Sequence, residues 1–169
     1  MNRFKTLTLA LTTALSLATF AGSVQAQAAV QAKDPWVRQT IATQKATGAF
    51  MTLTASSDLK LISASSPAAR VVEIHEMAME GDIMKMRAVP SLDLPSGKAV
   101  ELKPGGYHIM LIDVFSPLKA GATVKVELEV EDKAQKRSKI TVDAPVRAMA
   151  GMPAAGHGDH GAHGAHKGH

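Results

Sequence analysis

Between residues 49 and 143 the chain repeats one pattern: short stretches of alternating apolar and polar residues, each closed by glycine, proline, serine or aspartate. Residues 123–131 are the cleanest case. Val124, Val126, Leu128 and Val130 fall on one face and charged or polar residues on the other, which is the period of a half-buried strand. Residues 139–143 can return as its hairpin partner, with the lysine-containing cluster at 133–139 as a solvated turn. Residues 49–53, 59–63 and 99–102 read as further strands, placed around the turn signals Ser56-Ser57-Asp58 and Pro95-Ser96-Gly97. No segment keeps a long helical period. Closely spaced short strands predict an all-β sandwich or barrel. The roughly 120 residues between the two unusual ends suffice for one such core and leave no room for a second domain. Trp36, Phe50 and Tyr107 are expected to pack that core or close one end of it.

The two ends differ from this middle. Residues 1–26 carry Arg3 and Lys5, then an apolar run over 7–20, then small residues ending Val24-Gln25-Ala26. This is the layout of a secretory signal peptide, and the run is too short and too rich in Thr and Ser for a membrane span. The expected destination is the periplasm, as a monomer with no span once the signal is removed. Without Arg3 and Lys5, 17 basic side chains face 15 acidic ones, a formal charge of +2, which leaves no nucleic-acid footprint. The sequence has no cysteine. That removes a disulfide framework, and it removes a blue-copper electron-transfer site, which needs a thiolate beside its histidines.

Residues 71–113 hold both histidines that lie outside the C-terminal region, and most of the internal methionines. His75, Met86, His108 and Met110 stand as H-x10-M-x21-H-x-M. Two imidazoles and two thioethers form a donor set suited to a soft monovalent metal ion, and Cu(I) is the one such a set selects. Residues 70–77 and 84–89 both alternate, with Glu80-Gly81 as a candidate two-residue turn. That turn would set His75 opposite Met86 and Met77 opposite Met84, with Cβ atoms roughly 4.5–5.5 Å apart. A slip by one would put the donors on opposite faces. His108 and Met110 follow the turn formers Pro104-Gly105-Gly106 and share a strand face. Met77, Met79 and Met84 could line the site, give it an alternate sulfur donor or fill the barrel mouth, and packing is the expectation. Glu73 and Glu76 are candidates to accept an imidazole N–H.

The His75/Met86/His108/Met110 spacing, the segment Val72-Glu73-Ile74-His75-Glu76, the run Met84-Lys85-Met86-Arg87 and the run over 102–111 resemble the periplasmic copper chaperones of the PCu(A)C family. The resemblance covers about residues 36–146. It implies a cupredoxin-like Greek-key barrel or sandwich over 27–147 that binds Cu(I) through those two His and two Met. It also implies delivery toward the dinuclear copper centre of cytochrome c oxidase. The expected partners are the oxidase subunit that holds that centre and thioredoxin-like copper-transfer proteins. Some relatives add a C-terminal His/Met-rich extension with a Cu(II) site.

Residues 148–169 form such a tail. Met149, Met152, His157, His160, His163, His166 and His169 recur among glycine and alanine, with too little apolar surface to fold alone. Spaced histidines of this kind read as a metal-capture arm, and nitrogen and oxygen donors suit Cu(II). No nucleophile with a base, no phosphate loop and no carboxylate pair appears, so the expectation is a carrier and not an enzyme. The alternative is a periplasmic buffer or copper-tolerance protein in which the tail does the binding.

Overall fold

The computed structural model describes residues 29–148. The segment 1–26, expected to be a signal peptide, and the seven candidate tail donors from Met149 to His169 lie outside them. The described residues form ten strands and no helix: β1 Val30–Arg38, β2 Ala46–Ala55, β3 Leu59–Ser65, β4 Ala69–Glu80, β5 Ile83–Ala88, β6 Leu92–Leu94, β7 Ala99–Leu102, β8 His108–Val114, β9 Thr123–Asp132 and β10 Arg137–Arg147. The hydrogen-bonded order is β5-β4-β8-β2-β1-β10-β9-β3-β6, with β7 attached to β2. All pairings between named strands are antiparallel except β1 with β10, where Val37 lies beside Val146. The expected all-β, cupredoxin-like architecture is what the chain adopts.

Alternation decides what each strand buries. Val124, Val126, Leu128 and Val130 of β9 are all core residues, as are Leu53 of β2, Leu61 of β3 and Ile109 and Leu111 of β8. The β9–β10 hairpin forms where expected. The Asp132 carboxylate accepts hydrogen bonds from the amides of Ala134 and Lys136, which fixes the turn.

Two strands were not foreseen. β1 carries Asp34-Pro35 in its middle, and the chain absorbs the interruption with a positive φ of 50° at Asp34 and a register shift between Lys33 and Trp36. β6 is only three residues long, lying between Pro90 and Pro95.

The register of the β4–β5 hairpin also differs from expectation. Its two-residue turn is Gly81-Asp82, so Met77 faces Met86, Met79 faces Met84, and His75 faces Ala88. Gly81 has φ +62° and Asp82 is not among the positive-φ residues. This is the pattern of a II′ turn, which wants glycine at its first central position and matches the strand twist. Starting the loop one residue later moves every pair by two positions, and a shift of two preserves the face.

Candidate metal centre

Strand parity builds the site. On β8, Ile109 and Leu111 point into the core, so His108 and Met110 stand on the other face. On β4, Ile74 is the core residue opposite Ile109, and this puts Glu73, His75 and Met77 on the same outer face. His75 lies directly across from His108, and Glu73 across from Met110. β2 adds Phe50 and Gly48, the latter opposite Met110, and β1 adds Trp36 and Arg38. Met86 joins from β5 through its pairing with Met77.

His75 and Met86 are therefore not cross-strand partners, and the two donors meet around His108 instead. The His108 ring is buried, 5.8 Å from the His75 ring centroid, and its Nε2 is 3.2 Å from Met86 Sδ. Met86, His108 and Met110 line one cleft of about 280 Å³, together with Arg38, Phe50 and Met77.

Hydrogen bonding fixes the imidazole tautomers. His108 Nδ1 lies 3.0 Å from the Gly106 carbonyl, which only accepts, so Nδ1 carries the proton and donates. Burial pushes His108 below the ordinary imidazole range, opposed by the Gly106 bond and assisted by His75 and Arg38. The ring is thus neutral at pH 7, and Nε2 presents a lone pair to a thioether sulfur. Two lone-pair atoms facing each other at 3.2 Å gain nothing from each other, and both suit a shared cation.

His75 shows the complementary arrangement. Its Nε2 is 2.8 Å from Glu73 Oε2, and its Nδ1 is buried without a hydrogen-bond partner. With Nε2–H donated to the carboxylate, the orphan Nδ1 is a free lone pair. A carboxylate that holds a ligand imidazole in one tautomer is a recurrent feature of metal sites. Glu76 does not share that role: it pairs with Arg87 and bonds Tyr107, holding its own carboxyl below the usual range and the Tyr107 phenol above it.

The aromatic residues have more to do than fill the core. Phe50 is buried on the outer face, its ring 6.2 Å from His108 and 4.4 Å from Trp36. It reaches that position across Gly48, where an added Cβ would lie 2.6 Å from the ring. Arg38 lies over Phe50 at 5.5 Å and lines the cleft, with its Nε buried and unpartnered. A fixed positive charge beside a cation site weakens the hold on the cation. Sequence reasoning missed Arg38 and Gly48 because both reach the site through the pairing of distant strands. The expectation that Met79 and Met84 are packing residues fails, since they are 61% and 51% exposed.

A larger cavity of about 560 Å³ is lined by Asp58, Lys60, Asp93, Glu131 and Lys133. Its charges are spent on one another through Asp58–Lys133 and Lys60–Asp93, and on Arg137 through Glu131. Among the described residues there is no cluster of three or more His, Cys, Asp or Glu fit for a metal ion, and no helix able to cross a membrane. The candidate donors are thioethers and imidazoles.

An outward-facing His/Met cleft on an all-β domain defines a soft-metal-binding module, and comparison with known proteins agrees. The LpqE-like family model matches residues 30–146. A protein of Leifsonia xyli subsp. xyli with a lipoprotein name is 30% identical over 123 residues, covering 72% of each chain. The solution structure of Cu(I)-DR1885 from Deinococcus radiodurans is 28% identical with a TM-score of 0.56, over 75% of this chain and 83% of that one. The copper-bound PCuAC domain from PmoF2 superposes with a TM-score of 0.57 at 24% identity, over 72% and 94%. The chain belongs to the LpqE-like family, the family of the PCuAC domains.

Proposed function

We propose that this protein is an exported copper chaperone that carries Cu(I) on His75, Met86, His108 and Met110. The observation that carries the reading is the His108 Nε2 to Met86 Sδ approach of 3.2 Å, with the ring proton committed to Gly106 on its far side. Tetrahedral bonds of the lengths zinc makes to nitrogen and sulfur would hold such atoms roughly 3.5 Å apart. A metal therefore fits after a movement of a few tenths of an ångström. The copper-bound relatives make copper the natural cargo.

The donors set the chemistry. All four are neutral, so bound Cu(I) keeps its single positive charge, and softness favours it over Cu(II) and zinc. Thioethers do not titrate, and burial of His108 lowers proton competition at that imidazole. Without a thiolate, and with Arg38 nearby, the ion is held and released by ligand exchange. A carrier needs that balance. The delivery target we infer is the dinuclear copper centre of cytochrome c oxidase, directly or through thioredoxin-like copper-transfer proteins. The tail donors Met149, Met152, His157, His160, His163, His166 and His169 are proposed to capture Cu(II). We place the protein in the periplasm.

X-ray absorption of the Cu(I)-loaded protein tests the reading. It should show mixed nitrogen and sulfur neighbours, and an all-nitrogen shell would falsify it. The histidine-rich tail favours one rival, a metal buffer; that protein would keep its full Cu(I) capacity after substitution of His108 and Met110.

A further inference from the structure

The β4–β5 hairpin has two unlike faces. One carries Glu76, Glu80, Lys85 and Arg87, joined as the ion pairs Glu76–Arg87 and Glu80–Lys85. The other carries Met77, Met79, Met84 and Met86, two directly opposed methionine pairs in succession. Nothing in the fold requires this. β8 pairs β4 only up to His75, so beyond that point β4 has β5 as its one strand partner, and β5 is the edge of the sheet. Met79, Met84 and Met86 are 61%, 51% and 49% exposed, so no core lies against their face. Strand propensity does not account for it either, since an exposed ribbon is better served by β-branched or polar side chains.

The pairing class brings the methionine side chains close. The Met77 amide donates to the Gly106 carbonyl, away from β5, so Met77 and Met86 form a pair without mutual backbone hydrogen bonds. The turn gives the same answer, because Glu80 and Ile83 close the two-residue loop as the bonded pair and leave Met79 with Met84 unbonded. Such pairs have the closer side chains, with Cα atoms about 4.5 Å apart. Successive residues on one strand face are about 7 Å apart. Methionine has three rotatable bonds and a polarizable sulfur, so three or four thioethers can close on one ion.

We propose that this methionine face is a second, weaker Cu(I) site, through which the ion enters and leaves the cleft lined by His108 and Met110. Met86 belongs to both. Transfer is ligand exchange: the Met86 sulfur–copper bond persists while bonds to Met79, Met84 and Met77 break, and bonds to His108 Nε2, His75 and Met110 form. Copper stays Cu(I), and no electron or proton moves. All-thioether ligation excludes Cu(II) and zinc, which prefer nitrogen, oxygen or thiolate. Lack of an imidazole and contact with water keep the outer site weaker than the inner one.

The proposal rests on Cu(I) as the cargo, and its test separates the two sites. In the full-length protein with 13C-methyl methionine, Cu(I) is added anaerobically to excess. The methyls of Met86 and Met110 should shift first, and those of Met79 and Met84 only after the first site fills. In a His75→Ala/His108→Ala variant the Met79 and Met84 shifts should persist, so that failure of the inner site leaves the outer one standing. Met79→Leu/Met84→Leu should keep the amide spectrum and the affinity of the inner site. It should also slow, several-fold, the uptake of Cu(I) from its bicinchoninate complex. Unmoved Met79 and Met84 methyls in excess metal, or an unchanged uptake rate in the double leucine variant, would overturn the proposal.

Discussion

Met86→Leu separates ligand from packing residue most sharply, because the two roles predict opposite balances. Met86 is half exposed, on a strand whose residues are all exposed, and leucine keeps its apolarity and approximate volume. The expected change in stability is therefore within about 0.5 kcal/mol, as for surface substitutions generally. The expected change in Cu(I) affinity is much larger. Loss of a group that merely orients a ligand costs roughly 10–100-fold, or about 1.4–2.8 kcal/mol, and loss of a direct donor should cost at least that. Met77 complicates the single variant, since it faces Met86 and can bring its own sulfur to the ion. The decisive protein is Met77→Leu/Met86→Leu, measured by competition against a Cu(I) chelator beside a urea unfolding curve. Wild-type affinity in that folded double variant would refute the assignment of Met86. Loss of folding in that variant would show that these methionines were structural after all.

Three further outcomes are expected. Gly48→Ala places a Cβ 2.6 Å from the Phe50 ring, an overpacking of about 1–3 kcal/mol; a crystal structure should show Phe50 displaced, with weaker copper binding, and an unmoved ring would refute the claim. Asp58 is held below its ordinary value of 3.8 by Lys133 first and by the Ser96 amide second, so its contribution to stability is present above that value and is lost as pH falls through the depressed one. Asp58→Asn should accordingly be less stable than wild type at neutral pH and converge with it in acid, and a pH-independent difference would contradict the linkage. Removing residues 149–169 should leave Cu(I) binding in the cleft intact and abolish most Cu(II) binding, which calorimetry with each oxidation state can check.

The alternating strands were legible in the sequence because each is a local pattern: β9 shows its buried valines without reference to any other strand. The four candidate donors stood out for a related reason, since their spacing is itself a motif. What the sequence concealed depends on pairing at a distance. Met110 lies opposite Gly48, and Phe50 crosses that glycine to approach His108, through β2–β8 contacts more than 50 residues apart in the chain. Glu73 could be suspected beside His75, but which imidazole nitrogen it engages, and which one stays free, required the fold. The hairpin register was misplaced by two because Glu80-Gly81 and Gly81-Asp82 are both admissible turns on composition. The positive φ of Gly81 at the first central position settles the choice.

Parity also explains how the proposed metal carrier would remain folded while its cargo comes and goes. Ile74, Ile109 and Leu111 alternate with His75, His108 and Met110 on the same two strands, so one set of backbone hydrogen bonds serves a core on one face and the proposed ligand cluster on the other. Metal release removes no atom from the core. Binding should therefore stabilise the protein only by mass action, as RT ln(1 + [L]/Kd), with no separate metal-dependent folding step of the kind shown by small zinc domains. The position of Met86 on an edge strand, outside the His75–His108 strand pair, follows the same division: the donor at the boundary between cleft and solvent is the one whose movement costs the core least.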